Sequence, residues 1–192
     1  MTHIRFCIVL ACAFAVGYAL GSGATARADG TSIIISEIGA YEASGHEWIE
    51  VFNTTDSTID LTDWIFWENN INHRLALVQG TTTTLLAGSY AIISQNNELL
   101  LEQYPNLDVQ IFDSSWGSLN EGGEDIGLKD SSGAIVEQFT YISAPDYSLE
   151  RIDARLLDYT DGNWKEHSDG NSIGVANYWS GYTEPADTPP VA

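Results

Sequence analysis

Apolar and polar positions alternate along this chain in short runs that turn residues interrupt. Ile49 and Val51, for example, alternate with Trp48, Glu50 and Phe52, which is the two-residue period of a β-strand. Runs rich in Ile, Val, Thr, Tyr, Phe and Trp, separated by Asn, Asp, Gly and Ser, are typical of a β-sandwich or barrel. The pattern predicts strands over residues 32–38, 47–52, 58–61, 64–68, 74–78, 83–86, 90–94, 109–112, 125–129, 134–141 and 148–152.

Two local signals add detail to this all-β pattern. Asn96 or Asn97 can cap a short helix over residues 98–104, and Pro105 disfavours helix in the residue before it. Residues 130–133 (DSSG) place Asp first and Gly last, as in a type I turn that joins two strands. We therefore predict an all-β sandwich with one short connecting helix.

The N-terminal residues have the pattern of an export signal. Residues 1–5 carry Arg5 and no acid, residues 6–20 are apolar or small, and Ala26-Arg27-Ala28 fits a small-x-small cleavage site. As a helix, the apolar run would reach only about 22 Å, short of a hydrocarbon core of about 30 Å. We predict a signal peptide over residues 1–28 and an extracellular or cell-surface protein that leaves the membrane after cleavage. An uncleaved anchor or a lipoprotein signal ending at Cys12 would also imply export.

Removal of this signal would also change the charge and the thiol content of the chain. Both cysteines, Cys7 and Cys12, lie inside it, so the remaining chain would have no disulfide or thiolate metal site. It would keep five basic residues against 27 acidic ones, a net charge of −22. Such a surface repels phosphate backbones, which excludes electrostatic binding of nucleic acids. The charge itself is explained by solubility, with cation binding as the alternative.

The sequence contains no catalytic motif with the required spacing. His46-Glu47-Trp48-Ile49-Glu50 begins like a zinc-protease motif, but Glu50 stands where the second His is needed, and the segment alternates like a strand. The other histidines of the exported part, His73 and His167, are isolated, and no G-x-S-x-G element is present. We expect no catalytic residue here.

Two acidic loops are candidates for a cation. One contains Glu121, Glu124 and Asp125, and the other contains Asp158 and Asp161. Calcium takes six to eight oxygen ligands, which such loops can supply, but neither loop has EF-hand spacing. We interpret both as turns in which Asp, Asn and Gly serve the backbone. The sequence thus predicts no cofactor, with Ca²⁺ as the alternative.

The tryptophans have two interpretations. Exposed indole faces bind sugars in many modules, whereas buried indoles pack a core that has no disulfide to support it. We favour core packing, with another segment covering the aromatic face that Trp48 and Phe52 share. The full set is Trp48, Trp64, Trp67, Trp116, Trp164 and Trp179.

Glu47 and Glu50 lie close together in sequence and suggest a pair of catalytic carboxylates. An ion pair explains them more simply, because basic residues are scarce and Arg151 follows an apolar strand. We predict that Arg151 neutralises one of these two glutamates.

Several segments, taken in order, resemble elements of a known family. Residues 33–38 (IIISEI) are similar to its first strand, residues 47–53 (EWIEVFN) to an E-W-I-E-L-Y-N strand, and residues 60–64 (DLTDW) to a D-L-S-G-W element. Further similarities lie in residues 86–92, 119–133, 136–141, 148–151 and 172–177, and at Trp164. This order resembles the lamin tail domain family of the secreted bacterial type. Asp63, Ala87 and Ser89 depart from the family pattern.

The resemblance implies an immunoglobulin-like β-sandwich and a non-catalytic module. We therefore expect a signal peptide at 1–28, the sandwich at 29–181 and a Pro-rich tail or linker at 182–192. The predicted function is a secreted or cell-surface module that binds a protein or surface partner. The alternatives are an extracellular metal-dependent hydrolase and a Ca²⁺-dependent carbohydrate-binding module.

Overall fold

The protein is an immunoglobulin-like β-sandwich, shown by a computed structural model that describes residues 33–154, 156 and 161–181. The predicted signal peptide 1–28, the tail 182–192 and Asp158 of the second acidic loop lie outside these residues. The elements in chain order are β1 (Ile33–Gly39), β2 (Trp48–Asn53), β3 (Ile59–Asp60), β4 (Ile65–Glu68), β5 (Ile71–Arg74), β6 (Ala76–Gln79), β7 (Thr84–Leu85), β8 (Tyr90–Ser94), α1 (Asn97–Gln103), β9 (Gln110–Asp113), β10 (Asp125–Lys129), β11 (Ile135–Thr140), β12 (Leu149–Arg151), a 3₁₀ turn (Asp161–Asn163) and β13 (Trp164–Glu166).

Two main sheets form the layers of the sandwich. The larger sheet has the strand order β13-β12-β1-β2-β8-β9-β6, the smaller has β11-β10-β4-β5, and β3 pairs with β7 in a short ribbon. The main core lies between the layers, where Ile49 and Ile93 of the larger sheet meet Phe66 and Leu128 of the smaller one. These inward-facing residues alternate with outward-facing ones along each strand, which is the two-residue period seen in the sequence.

The short helix is present where the sequence predicts it. The Asn96 side chain accepts hydrogen bonds from the N–H groups of Glu98 and Leu99, and α1 ends before Pro105. Its role follows from topology, because β8 and β9 are parallel and such strands need a crossover. Among the described residues, no helix is long and apolar enough to span a bilayer.

Most predicted strands are confirmed, with two differences. The expected strand 74–78 is divided: Arg74 ends β5, which pairs with β4, and β6 starts at Ala76. Asn69 and Asn70 form the turn before β5 with positive φ values of 43° and 67°, as a tight hairpin requires. The sequence pattern also missed β13, which adds an edge beside β12.

A buried carboxylate row and an open groove as the candidate functional site

The outer face of the larger sheet contains the most unusual chemistry in the molecule. Strand alternation sends Ile49 and Val51 into the main core and sends Trp48, Glu50 and Phe52 to this outer face. These three side chains lie in three consecutive zones. The first zone is apolar and covered, the second is a buried row of carboxylates, and the third is an open groove.

Helix α1 covers the first zone. Trp48, Ile92 and Ile111 form a second apolar cluster with Leu100 of the helix, and Trp48 is fully buried. Gly39, on the neighbouring strand, lies against the Trp48 indole, and a Cβ at this position would overlap the ring. Another segment thus covers the Trp48 part of the aromatic side of β2, as predicted, whereas Phe52 is only partly buried and lies beside the open groove.

Three glutamates form the second zone, which we call the carboxylate row. Glu37 lies directly opposite Glu50 of β2 on one side and Glu150 of β12 on the other, and all three are 0% exposed. The pairing of β1 with β2 shifts register between Ile35 and Glu37. This bulge lets both Ser36 and Glu37 face outward, since Ile35 and Ile38 remain in the main core.

A segment near the C-terminus of the described chain seals the row. We call residues 171–179 the closing segment. Ser172 N–H donates to Glu37 Oε1 at 2.8 Å, and the Ser172 hydroxyl donates to Glu150 Oε1 at 2.6 Å. Gly174 N–H donates to Glu50 Oε2 at 2.7 Å, and Trp179 N–H donates to Glu150 Oε2 at 3.1 Å.

Serine hydroxyls from the sheet supply the remaining donors. Ser148 donates to Glu37 Oε1 at 2.5 Å, and Ser36 donates to Glu50 Oε1 at 2.7 Å. Glu37 Oε2 is buried and has no hydrogen-bond partner among the described residues. Five of the six carboxylate oxygens in the row therefore have a donor, and one does not.

Burial makes ionisation of this row costly. It raises the pKa of Glu37 to about 8, against hydrogen bonds from Ser148 and Ser172 that lower it, while Glu150 raises it further. The pKa of Glu50 also lies well above its usual range, because of burial first and then the charge of Glu37. Burial therefore favours the protonated form of Glu37.

The third zone is a groove of about 850 Å³ that is open to solvent. The Tyr90 and Phe52 rings stack beside it with centroids 4.6 Å apart, and Leu86 at the groove is 60% exposed. Asp108 is the one charged residue among the described residues that line it. Burial raises the pKa of Tyr90 to about 12, with smaller contributions from Glu50 and Glu37, so its phenol is neutral in physiological conditions.

The comparisons with known proteins give one decisive match. The Lamin Tail Domain family matches residues 26–143, more than half of the chain. The chain belongs to the lamin tail domain family. This family consists of immunoglobulin-like, non-enzymatic domains, in agreement with the sandwich described above. No curated protein matches the chain.

The family match covers only part of the carboxylate row in this lamin tail domain. Glu37 and Glu50 lie inside the matched range, whereas Glu150 and the closing segment follow it. Sequence reasoning did not identify Glu37 and Glu150 as site residues. The available signal was a glutamate beside apolar residues of a predicted strand, next to Ile38 in one case and to Leu149 in the other.

The predicted partner of Arg151 is wrong. The Arg151 guanidinium pairs with Glu137 of β11 at 2.6 Å, and both side chains are buried. Glu137 also accepts a hydrogen bond from Ile35 N–H at 2.7 Å. Arg151 is on the opposite face of β12 from Glu150 and points between the layers, so it stabilises the sandwich instead of neutralising Glu47 or Glu50.

Glu47 and Glu50 do not form a catalytic pair in this lamin tail domain. They differ by an odd number of positions along an extended segment, which places them on opposite faces. Glu47 accepts hydrogen bonds from Trp116 Nε1 at 3.0 Å, the Ser118 hydroxyl at 2.5 Å and Leu119 N–H at 2.7 Å. Its carboxylate therefore fixes the loop before β10.

The three histidines in the described part of the chain have separate partners. His46 Nδ1 is 2.9 Å from Gln103 Oε1, and His73 Nε2 is 3.2 Å from Glu68 Oε2. His167 lies 4.0 Å from Glu150, at the end of the carboxylate row. Within the described part of the chain, no three His, Cys, Asp or Glu residues form a group that could hold a metal ion.

The described residues of the acidic loops make hydrogen bonds with both backbone and side-chain groups. Glu124 accepts from Asn120 N–H at 2.9 Å and from Asn69, and burial raises its pKa. Asp125 accepts from the Thr140 hydroxyl. Asn163 of the second loop is buried and donates to the carbonyl oxygen of Asp153 at 3.1 Å.

Core packing explains most tryptophans, as predicted. Five are buried, and the sixth, Trp179, is half-buried beneath Lys165, whose Nζ lies 3.9 Å from the ring centroid. A carbohydrate platform built from the tryptophans of β2 and β4 loses its support for this reason. The buried set is Trp48, Trp64, Trp67, Trp116 and Trp164.

Proposed function

We propose that this lamin tail domain is an exported, non-catalytic interaction module whose groove beside Tyr90 binds a basic, partly apolar segment of a protein partner. The groove carries this proposal. It combines an aromatic stack with the exposed Leu86 side chain, and an apolar surface of this kind on a soluble domain marks a contact site.

The charge of the chain supports a basic partner. The net charge is −20 at pH 7, and Asp108 is the charged residue among the described groove residues. A basic segment would be attracted by the surrounding field before contact and would then place apolar side chains against Leu86 and Tyr90. An acidic segment of equal hydrophobicity would be repelled.

The chemistry of the site supports a non-catalytic role. The carboxylate row is sealed from solvent by the closing segment, so a substrate could not reach it without displacement of that segment. The titratable groups among the described residues that line the groove are Asp108 and the Tyr90 phenol. These lining residues include no histidine. An active site needs titratable groups that converge on one accessible point.

Selection from a library of short random peptides tests the binding proposal. We expect peptides enriched on the exported protein to carry Lys or Arg next to apolar residues and to bind more weakly as salt is added. Leu86→Ser should weaken their binding by about tenfold, the equivalent of one lost apolar anchor. The matched control is Ile135→Ser, which changes a side chain of similar exposure on the smaller sheet and should leave binding unchanged.

Two results would overturn this function. One is a selection that enriches no peptide above background. The other is a set of enriched peptides that bind Leu86→Ser and Ile135→Ser equally well, because their contact would then lie outside the groove.

The export part of the proposal has its own test. Expression of the full chain in a secreting host should release a protein whose mass corresponds to a start at Asp29. Ala28→Trp should block this processing, because the peptidase accepts small residues there, and Ala24→Trp should not. Recovery of the chain in the cytoplasm at its full mass would refute export.

A further inference from the structure

A small cavity lies on the outer face of the larger sheet, next to the groove. It holds about 20 Å³, room for one water-sized group, and Phe52, Tyr90, Asn177 and Ser180 are among the residues that line it. Tyr90 also lines the groove, so the two spaces meet at this residue. A side chain from a segment bound in the groove can therefore be directed into the cavity.

Asn177 of the closing segment brings an unused hydrogen-bond acceptor to the cavity. The residue is 8% exposed, and its Nδ2 donates to the Ser36 carbonyl oxygen at 2.8 Å and to the Arg151 carbonyl oxygen at 2.9 Å. Because both of these partners are acceptors, the amide cannot be reversed. This fixes the position of Oδ1, which is buried and has no hydrogen-bond partner among the described residues.

The occupant that this cavity favours is a hydrogen-bond donor. Oδ1 of the amide only accepts, and the Ser36 hydroxyl already donates to Glu50 Oε1 at 2.7 Å. A buried acceptor without a donor costs free energy, so a bound donor would be stabilising. An ammonium group is compact and has three donors and no acceptor, whereas a guanidinium is a wide planar fork. The acceptor and the small volume together favour a primary ammonium.

The surroundings also favour a cation on an aliphatic stem. The net charge of the chain is −20 at pH 7, and the Arg151 guanidinium is paired with Glu137 between the layers. The stacked rings of Phe52 and Tyr90 offer apolar surface for methylene groups, and an aromatic ring face attracts a cation. A lysine side chain combines these features, because a four-carbon stem carries its ammonium.

We propose that the cavity binds the ammonium group of a lysine side chain from the partner segment that lies in the groove. This inference rests on the proposed function and names the basic residue that the groove selects. Asn177 Oδ1 accepts a hydrogen bond from the ammonium, and the rings of Phe52 and Tyr90 pack against the stem. Arginine has the same charge but is too wide for the cavity, so the partner segment is recognised by its lysine.

A titration with n-butylammonium, which has the stem and head group of lysine, tests the cavity without any peptide. The readout is the side-chain amide signal of Asn177 in nitrogen-15 NMR spectra of the exported protein, recorded at constant ionic strength. We expect a saturable shift of this signal. The matched probes are n-propylguanidinium, which resembles arginine, and 1-butanol, which has no charge, and neither should produce a saturable shift.

Peptides from the selection described above provide the second test. Their N-termini are acetylated, so that lysine supplies the primary ammonium. Replacement of this lysine by arginine or by norleucine should weaken binding about tenfold, because each change removes the charge-assisted hydrogen bond to Oδ1.

A variant that fills the cavity shows whether the lysine acts there. Ser180→Leu places a larger apolar side chain at an exposed position that lines the cavity. It should weaken the lysine peptide about tenfold and leave the norleucine peptide unchanged, since a general disturbance of the fold would affect both. Ser131→Leu, at an exposed position in the Asp130 turn, is the matched control and should change neither affinity.

The outcomes separate this inference from the function on which it rests. A selection without enriched peptides would remove the proposed function, and the n-butylammonium titration would still decide what the cavity binds. Absence of a saturable Asn177 shift, or an equal shift with 1-butanol, would overturn the ammonium site. Peptides that bind equally well with lysine, arginine or norleucine would show that the groove does not select lysine, and would overturn the proposal as well.

Discussion

Ser172 bridges Glu37 and Glu150, donating its backbone N–H to one carboxylate and its hydroxyl to the other. The two glutamates lie directly opposite each other in the pairing of β1 with β12. A single residue of the closing segment thus ties together two strands whose side chains would repel each other if both were charged. It follows that hydrogen bonds from Ser172 hold these two buried glutamates together.

Global stability should therefore fall as the pH rises from about 4.5 to about 8. The pKa of Glu37 is about 8 in the folded protein, against the ordinary value of 4.5 that applies to the unfolded chain. The folded state therefore binds more protons than the unfolded state between these two pH values. The stabilising contribution is complete below 4.5 and is lost above 8. For one proton the slope of the unfolding free energy reaches about 1.4 kcal/mol per pH unit.

The contribution of Glu37 is measured as the difference between the wild type and Glu37→Gln in urea unfolding at each pH. That difference should change with pH within this window and be constant outside it. A difference that does not vary with pH would contradict the expected shift.

Gly39→Ala should destabilise the protein, because the added methyl group would overlap the buried Trp48 ring. Overpacking of this kind costs about 1–3 kcal/mol. Gly117→Ala is the matched control, since a Cβ there meets nothing within 4 Å and φ is not positive, so its stability should stay within about 0.5 kcal/mol of wild type. Urea midpoints of the two variants check the prediction, and equal midpoints would refute it.

Addition of calcium at millimolar concentration should leave the melting temperature unchanged relative to EDTA. The carboxylates of the described acidic loop hold backbone and side-chain donors, as Glu124 does with Asn120 N–H. No metal-holding group of three ligating residues occurs in the described ranges. A specific site at about 100 times its Kd would add about 2.7 kcal/mol, so a rise of several degrees would contradict this prediction.

Local signals made much of this fold predictable. The cap at Asn96 and the stop before Pro105 define α1, and the Asp130 turn is present with its carboxylate accepting from Ser132 N–H at 2.8 Å. Strand alternation identified the two faces of β2. Each of these features is determined by residues a few positions apart, and sequence patterns report such short-range physics well.

The candidate site could not be predicted in the same way. The carboxylate row requires a bulge before Glu37, the register of β1 with β12, and donors from a segment more than 100 residues away from Glu37. Likewise, the choice of Glu137 over Glu50 as the partner of Arg151 depends on how the two layers stack. The turn at Asn69 and Asn70 was missed because asparagine in both left-handed positions is a weaker signal than Asn-Gly.

Arg151→Ala should be among the most destabilising substitutions in this protein. The side chain is 1% exposed, pairs with Glu137 at 2.6 Å and lies over the Trp164 ring with Cζ 4.9 Å from its centroid. Its removal would leave the Glu137 charge buried without its cation, which costs about 3–5 kcal/mol in comparable pairs. Arg74→Ala, which breaks the exposed pair with Asp63, should cost less than about 1 kcal/mol. Urea unfolding of both variants measures the contrast, and a loss of similar size in the two would mean that the buried pair contributes no more than a surface one.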